Sequence, residues 1–175
     1  MPTEERLALR DTVRRLLSRE SGGVAVRAAA ASPDGFDRSL WTRLCAEVGV
    51  AGLTIPERYG GLGASLADAA VVLGELGRAL TPCPLLGSAV LAAAAIMASG
   101  DEEAAARLLP GIAAGTTIGA LVWTGPRGGW DPAEAAVEST VDGLTGTAHY
   151  VLDGCAADVL IVLARTAEGL GLFEV

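Results

Sequence analysis

The sequence predicts an α+β fold in which the helices come first and the strands follow. Before Gly115, apolar residues recur mostly three and four positions apart, whereas short alternating or strongly apolar runs follow it. Alanine and leucine supply most of the apolar content and only 4% of the residues are aromatic, which favours close-packed helices. We therefore expect a helical domain over residues 1–115 and the start of an antiparallel, barrel-like β domain over residues 116–175.

The first half of the helical part carries two amphipathic helices. The apolar face of the first consists of Leu9, Val13, Leu16 and Leu17. The second is expected to begin at an Asp37 cap and to end at Gly49, with Phe36 and Trp41 at the spacing of a hydrophobic staple. Between them, the stretch "SGGVAVRAAAASPDG" is rich in Gly, Ser and Pro, which predicts a loop or a short irregular connection.

Three further helices are expected before Gly115. Ser65 and Asp68 have the spacing of a capping box at the start of the first. An apolar helix begins near Leu85, and a short one opens at Asp101 and ends before Pro110. The glycines of "GGLGAS" lack the third glycine and the preceding strand of a dinucleotide-binding motif, so they predict a simple tight turn.

The remaining chain has the character of strands. The runs "TTIGALVW", "DVLIVLAR" and "GLGLFEV" are strand-like, and the Asp142-Gly143 pair inside "VESTVDGLTGTAHYV" predicts a hairpin. So few strands leave the edges of a sheet exposed. We therefore expect that more chain follows in the natural protein or that a partner covers the edge.

Charge and hydropathy exclude several classes of function. The formal net charge is −8 and no run of Lys or Arg occurs, which argues against a nucleic-acid or anionic-membrane partner. The N-terminus lacks the apolar core of a signal peptide, and the apolar stretch 85–98 is shorter than the roughly 20 residues of a membrane helix. The sequence thus predicts a cytoplasmic protein without a membrane segment.

No residue spacing identifies a metal site or a catalytic group. Cys45, Cys83 and Cys155 are far apart, without a CxxC pair, and are interpreted as buried small side chains in a reducing compartment. His149 is the chain's one histidine and has no carboxylate partner nearby in sequence, so a structural role is favoured over acid–base chemistry.

Several segments together resemble a known family. The order of helices and strands, with "VAGLTIPERYGGLGASLADAAVVLGELGRAL", "GDEEAAARLLPGIAAG" and "ADVLIVLAR", resembles the N-terminal half of an acyl-CoA dehydrogenase from about Glu4 to Val175. The resemblance implies a helical domain, a middle β domain and a C-terminal four-helix domain outside this chain. It also implies oxidation of the Cα–Cβ bond of an acyl-CoA thioester, with FAD as hydride acceptor. The glutamate base of such enzymes lies in their C-terminal half, so no catalytic residue is assigned here.

The resemblance gives the loop "TGPRGGWD" a role in flavin binding. It implies cofactor-binding residues at Trp123, Thr124, Gly129, Trp130, Tyr150 and Leu152. Relatives carry a serine where this chain has Trp130, and a threonine or serine where it has Leu152. Neither replacement can donate the hydroxyl hydrogen bond, although Tyr150 can still stack on a flavin ring. The charged Arg127 is either a phosphate contact for FAD or CoA, or a solvated surface residue.

Three hypotheses follow from these replacements. In the first, the chain is a degenerate subunit that binds FAD weakly or shares it, and completes a partner's site in a hetero-oligomer, as in relatives that oxidise sterol side chains and other bulky acyl-CoAs. In the second, backbone N–H groups and neighbouring subunits supply enough contacts for a self-sufficient homo-oligomeric FAD-dependent acyl-CoA dehydrogenase; fatty-acid or sterol side-chain oxidation is the expected pathway class in either case. In the third, the chain is a non-catalytic binding or scaffold protein on the same fold.

Overall fold

The computed structural model describes residues 4–129 and 131–175. The helices come first, as predicted, and comprise α1 (Glu4–Glu20), α2 (Gly23–Ala30), α3 (Arg38–Val48), α4 (Leu66–Arg78), a π-helix (Leu85–Ala92), α5 (Ala93–Ser99) and α6 (Glu102–Ala113). The strands follow as β1 (Gly119–Val122), β2 (Val137–Thr140), β3 (Gly143–Gly146), β4 (Val159–Thr166) and β5 (Gly169–Glu174). The segregated α+β class is therefore confirmed.

The predicted helix caps form as expected. The Asp37 carboxylate accepts hydrogen bonds from the amides of Ser39 and Leu40 at the start of α3. Gly49 ends the same helix in the left-handed conformation, at φ +74°. Ser65 and Asp68 form the reciprocal capping box of α4. These ends are determined by residues only a few positions apart.

Two predictions about helix ends are wrong. The connection interpreted as a loop contains α2, with Gly22 as its N-cap, because its alanines favour helix and glycine is tolerated at a cap. Pro110 does not end the short helix but lies inside α6. The missing N–H of Pro110 removes one hydrogen bond, and the complete burial of Leu109 and Ile112 on either side offsets that loss.

The sheet is mixed, which corrects the prediction of an antiparallel domain. The pairs β2–β3 and β4–β5 are antiparallel, but β1 and β2 both pair with β4 in parallel. Ile161 pairs with both β1 and β5, and Ala164 pairs with both β2 and β5, so β1 and β2 share one edge of β4 and β5 takes the other. Parallel pairing is possible because long connections precede β4.

The hairpin is confirmed with a shifted turn. Thr140 pairs with Gly143, so the two turn residues are Val141 and Asp142 rather than Asp142 and Gly143. Gly143 begins β3 with φ +118°, a conformation that favours glycine.

The core joins helices and sheet. Val159 and Ile161 on one face of β4 pack with α6 and the end of the 85–99 helical stretch, while Val162 and Ala164 on the other face pack with β1 and β2. Ile118, just before β1, belongs to the cluster formed by the first helices. Because the two parts share these clusters, a domain boundary at residue 115 stays a prediction.

The cysteines differ in exposure. Cys45 and Cys83 pack against the helical core, but Cys155 is exposed, which corrects the expectation that all three cysteine side chains are buried. Cys155 lies in the turns between β3 and β4, and connecting segments run over the protein surface. Within residues 4–129 and 131–175, no helix is both long and apolar enough to cross a membrane.

Candidate functional site

The candidate flavin site is formed by two segments that meet after β1 and before β4. The amide of His149 donates to the carbonyl oxygen of Thr124 over 2.9 Å, and the Thr124 hydroxyl donates to the carbonyl oxygen of His149. Thr124 is buried and His149 is exposed. The structure thus brings together two of the positions where the resemblance places cofactor contacts, the 124–129 loop and the segment around Tyr150.

Tyr150 lies over the loop. Its side chain is 70% exposed, and its hydroxyl donates to the carbonyl oxygen of Pro126 over 3.4 Å. A Cβ on Gly128 would lie 3.5 Å from two ring carbons of Tyr150, and Gly128 has φ +66°. The space beneath the ring would admit a Cβ at ordinary contact distance, so it is the positive φ that favours glycine here. The exposed ring leaves a face for stacking with a planar group.

Of the two positions where relatives carry a hydroxyl, the structure describes Leu152. Leu152 is 44% exposed and offers no polar atom in its side chain. Trp130 lies outside the described residues. The replacement of a hydroxyl by an isobutyl group at position 152 therefore leaves an apolar surface beside Tyr150.

Trp123 belongs to a different surface. It lines an open apolar groove of about 360 Å³, together with Leu91, Ala95, Leu121, Leu163 and Leu172. The groove lies between the end of the 85–99 helical stretch and the sheet. Trp123 thus connects the start of the 124–129 loop to a surface suited to an apolar ligand.

The charges of the loop are paired within the chain. Arg127 donates to the Glu134 carboxylate over 2.8 Å, with Arg127 80% exposed. A Cβ on Gly129 would lie 2.8 Å from the other oxygen of Glu134. A phosphate contact by Arg127 would therefore form beside the Glu134 carboxylate, whose negative charge opposes it. The phosphate role of Arg127 stays a prediction.

The described residues do not fit the set of side-chain donors that the resemblance implies for FAD. Thr124 and Tyr150 carry hydroxyls, but both donate to backbone carbonyls of this chain. Leu152 carries none, and Gly129 faces a carboxylate. What remains for a flavin at these positions is the stacking face of Tyr150 together with backbone groups.

Two residues that the sequence did not single out support the site. The Asp153 carboxylate accepts from the amide of Gly87 in the π-helix over 3.1 Å, and burial raises the pKa of this carboxyl. The only sequence signal was an aspartate where relatives have the asparagine of "NGG".

Among residues 4–129 and 131–175, no group of three or more metal-ligating side chains occurs.

Comparisons with known proteins identify the family. The family model described as "Acyl-CoA dehydrogenase, N-terminal domain" matches residues 3–116. The chain is 54% identical over 121 residues to acyl-CoA dehydrogenase IpdE2 of Mycobacterium tuberculosis, an alignment that covers 69% of this chain and 37% of the relative. The chain belongs to the acyl-CoA dehydrogenase family.

Solved structures agree with this assignment. The ChsE4–ChsE5 complex from Mycobacterium tuberculosis matches with a TM-score of 0.86 and 30% identity, over 100% of this chain and 48% of that chain. A variant of the Tcur3481–Tcur3483 steroid ACAD matches with a TM-score of 0.85 and 32% identity, over 98% of this chain and 48% of that one. The chain thus spans about half the length of these solved relatives and 37% of IpdE2.

Proposed function

We propose that this chain is a subunit of an FAD-dependent acyl-CoA dehydrogenase and that it completes the site of a partner subunit in a hetero-oligomer. The observation that carries the proposal is the loss of two hydroxyl donors at flavin positions: Trp130 stands where relatives carry a serine, and Leu152 where they carry a threonine or serine. Each lost charge-assisted hydrogen bond weakens binding by about 1.5–3 kcal/mol. Two such losses lower the affinity for FAD by about two orders of magnitude or more.

The proposed substrate is an acyl-CoA with a bulky apolar acyl group, from fatty-acid or sterol side-chain oxidation. The apolar groove beside Trp123 supports this choice because its lining is almost entirely hydrocarbon. One structural relative is a steroid ACAD, which agrees with this substrate class, and another is a complex of ChsE4 and ChsE5, which agrees with a hetero-oligomer. No catalytic base is assigned to this chain, and we place the protein in the cytoplasm, with a domain boundary near residue 115.

A second candidate is a self-sufficient homo-oligomer that keeps its own FAD. Tyr150 favours it, because its exposed ring offers a stacking surface that does not depend on hydroxyl donors. In that case backbone N–H groups and neighbouring subunits replace the missing contacts.

Co-expression separates the candidates. The full-length protein is purified alone and together with a homologue encoded next to it, and flavin absorbance and acyl-CoA oxidation are measured. A colourless chain that gains flavin and activity only with its partner supports the proposal. One FAD per chain in the protein purified alone contradicts it and supports the homo-oligomer. Absence of flavin and activity in both preparations contradicts both candidates.

Restoration of the donors tests the same idea on this chain. The double variant Trp130→Ser/Leu152→Thr returns both hydroxyls and should tighten FAD binding to the isolated chain by at least about tenfold. Leu86→Thr is the matched control, because Leu86 is 41% exposed against 44% for Leu152 and has no predicted flavin role. Equal FAD affinity in the double variant and the wild type would show that the hydroxyls are not what limits binding.

A further inference from the structure

The segment from His149 to Asp153 is attached to the rest of the protein at both ends. At the first end, His149 and Thr124 are joined by two hydrogen bonds. At the second end, the Asp153 carboxylate accepts from the amide of Gly87, which lies 66 residues earlier in the chain. Tyr150 lies between these two attachments.

The contact at Gly87 is close. Gly87 is buried in the π-helix, and a Cβ at this position would lie 2.3 Å from a carboxylate oxygen of Asp153 and 3.0 Å from the carbonyl oxygen of Leu152. The Asp153 carboxylate therefore occupies the space that any larger residue at position 87 would need. A glycine on the helix and a short acceptor on the segment fit each other.

The backbone conformation of the segment agrees with such an attachment. Tyr150 has φ +55° and Asp153 has φ +59°, and both lie in the left-handed region without being glycine. Residues with a Cβ rarely adopt this conformation unless surrounding contacts hold them there. Hydrogen bonds at His149 and Asp153 supply contacts of this kind on either side of Tyr150.

We propose that Asp153 is a positioning residue that holds Tyr150 over the 124–129 loop by accepting the hydrogen bond of Gly87. We take the planar group that meets the ring to be a flavin. In that one respect the inference rests on the proposed function. The placement of the ring itself does not depend on it. Asp153 acts through Tyr150 and does not contact the ligand.

Asp158 provides a matched control. Its carboxylate also accepts a backbone hydrogen bond, from the amide of Ile118 over 2.8 Å, and it lies in the same connection between β3 and β4. Asp158 is next to β4, however, and its hydrogen bond with Ile118 does not involve the segment from His149 to Asp153. Removal of either carboxylate deletes one bond of similar kind, but only the loss of Asp153 should move the ring.

Fluorine NMR of the fluorotyrosine-labelled full-length protein reports on the ring directly. Tyr150→Phe assigns the Tyr150 resonance and Tyr59→Phe that of Tyr59, which is 7% exposed in the helical part and serves as internal reference for an intact fold. Asp153→Ala should move the Tyr150 resonance towards that of free fluorotyrosine and leave Tyr59 unchanged. Asp153→Asn, which keeps an acceptor oxygen, should retain both wild-type resonances, as should Asp158→Ala.

Two outcomes would overturn the inference. One is a Tyr150 resonance unchanged in Asp153→Ala, and the other is an equal shift in Asp158→Ala. If Asp153→Ala does not fold, Asp153→Gly replaces it, because glycine adopts the left-handed backbone without strain while still lacking the acceptor. An unshifted Tyr150 in Asp153→Gly would also contradict the inference.

Flavin content of the complex with the partner subunit is the second readout. Asp153→Ala should lower the fraction of flavin retained, and Asp153→Asn should restore it. Equal retention in the Ala variant and the wild type would show that the placement of Tyr150 does not serve flavin binding. A wild-type complex without flavin would contradict the proposed function, whereas the fluorine NMR result would still decide the role of Asp153.

Discussion

Thr124 and His149 join the two segments of the candidate site by a reciprocal pair of hydrogen bonds. The Thr124 hydroxyl donates to the His149 carbonyl oxygen, and the His149 amide donates to the Thr124 carbonyl oxygen over 2.9 Å. A threonine that the resemblance assigns to the flavin is therefore occupied within the chain. This gives its hydroxyl a structural role that can be measured separately from cofactor binding.

Thr124→Val should lower the free energy of unfolding by about 1 kcal/mol, because it removes one neutral hydrogen bond at nearly constant side-chain volume. Urea unfolding at neutral pH measures the change. Thr124→Ser keeps the hydroxyl and should be closer to the wild type, and the exposed Thr145 on β3 provides the control Thr145→Val. If Thr124→Val reduced flavin content in the complex without loss of stability, the hydroxyl would serve the cofactor instead.

Glu75 links α1 to α4 and should give the protein an acid-sensitive contribution to stability. The carboxylate is 5% exposed and pairs with Arg14 over 2.6 Å and Arg78 over 2.9 Å. The hydrogen bond from Arg14 is the main cause that lowers the pKa of Glu75 from 4.5 to about 2, against the opposing effect of burial. Because the pKa is lowered on folding, the stabilisation is complete above about pH 4.5 and is lost as the pH falls towards 2.

Glu75→Gln should therefore lower the free energy of unfolding at pH 7 by about 2 kcal/mol, a value reduced by the solvent that reaches both arginines. The difference from the wild type should shrink as the pH falls below 4.5. Glu47→Gln, at an exposed pair with Arg43, is the control and should change stability by less than about 0.5 kcal/mol. If the difference in unfolding free energy between Glu75→Gln and the wild type stayed constant down to pH 2, the ion pairs of Glu75 would not be the source of the acid sensitivity.

Asp153→Asn should raise the free energy of unfolding at neutral pH. Burial raises the pKa of Asp153, so the folded state disfavours the charged form and loses stability as the pH rises past its ordinary value of 3.8. Asparagine keeps an acceptor for Gly87, carries no charge and tolerates the left-handed backbone. The gain should be present at pH 7 and disappear below 3.8. Unfolding curves at several pH values measure this dependence. A gain that does not change with pH would show that asparagine acts through its preference for the left-handed backbone and not through the lost charge.

The three thiols should react at different rates. Burial raises the pKa of Cys45 to about 11 and that of Cys83 to about 12, whereas Cys155 is exposed. A thiol reagent at about pH 8 should therefore modify one cysteine quickly and the other two slowly, because the thiolate is the reactive form. Cys155→Ser should remove the fast phase of thiol modification. A fast phase that persists in this variant would show that Cys45 or Cys83 is more accessible than the structure indicates.

The features that the sequence predicts correctly are mostly those with a local physical cause. The cap at Asp37 and the capping box of Ser65 and Asp68 depend on residues within a few positions, and each formed as predicted. The hairpin was also found, although its turn moved by one residue because Thr140 pairs with Gly143. The resemblance to acyl-CoA dehydrogenases rested on segments such as "IPERYGG" and was confirmed by the family match.

Pro110 and α2 show where local rules fail. Pro110 and the glycines before α2 predict breaks, yet both segments are helical because packing or alanine-rich composition outweighs a single unfavourable residue. In the candidate site, the departures at Trp130 and Leu152 were visible in the sequence. Their effect on FAD binding stays a prediction that the proposed experiments address.

By itself, the sequence determined the order of helices and strands, the main caps, the family and the missing hydroxyls, since these depend on residue type and short spacing. Tertiary structure alone decided the parallel pairing of β1 with β4, the pairing of Thr124 with His149, and the contact of Asp153 with Gly87. These contacts join residues 25 to 66 positions apart. Such pairings follow from which apolar faces pack together, and local periodicity carries no information about that choice.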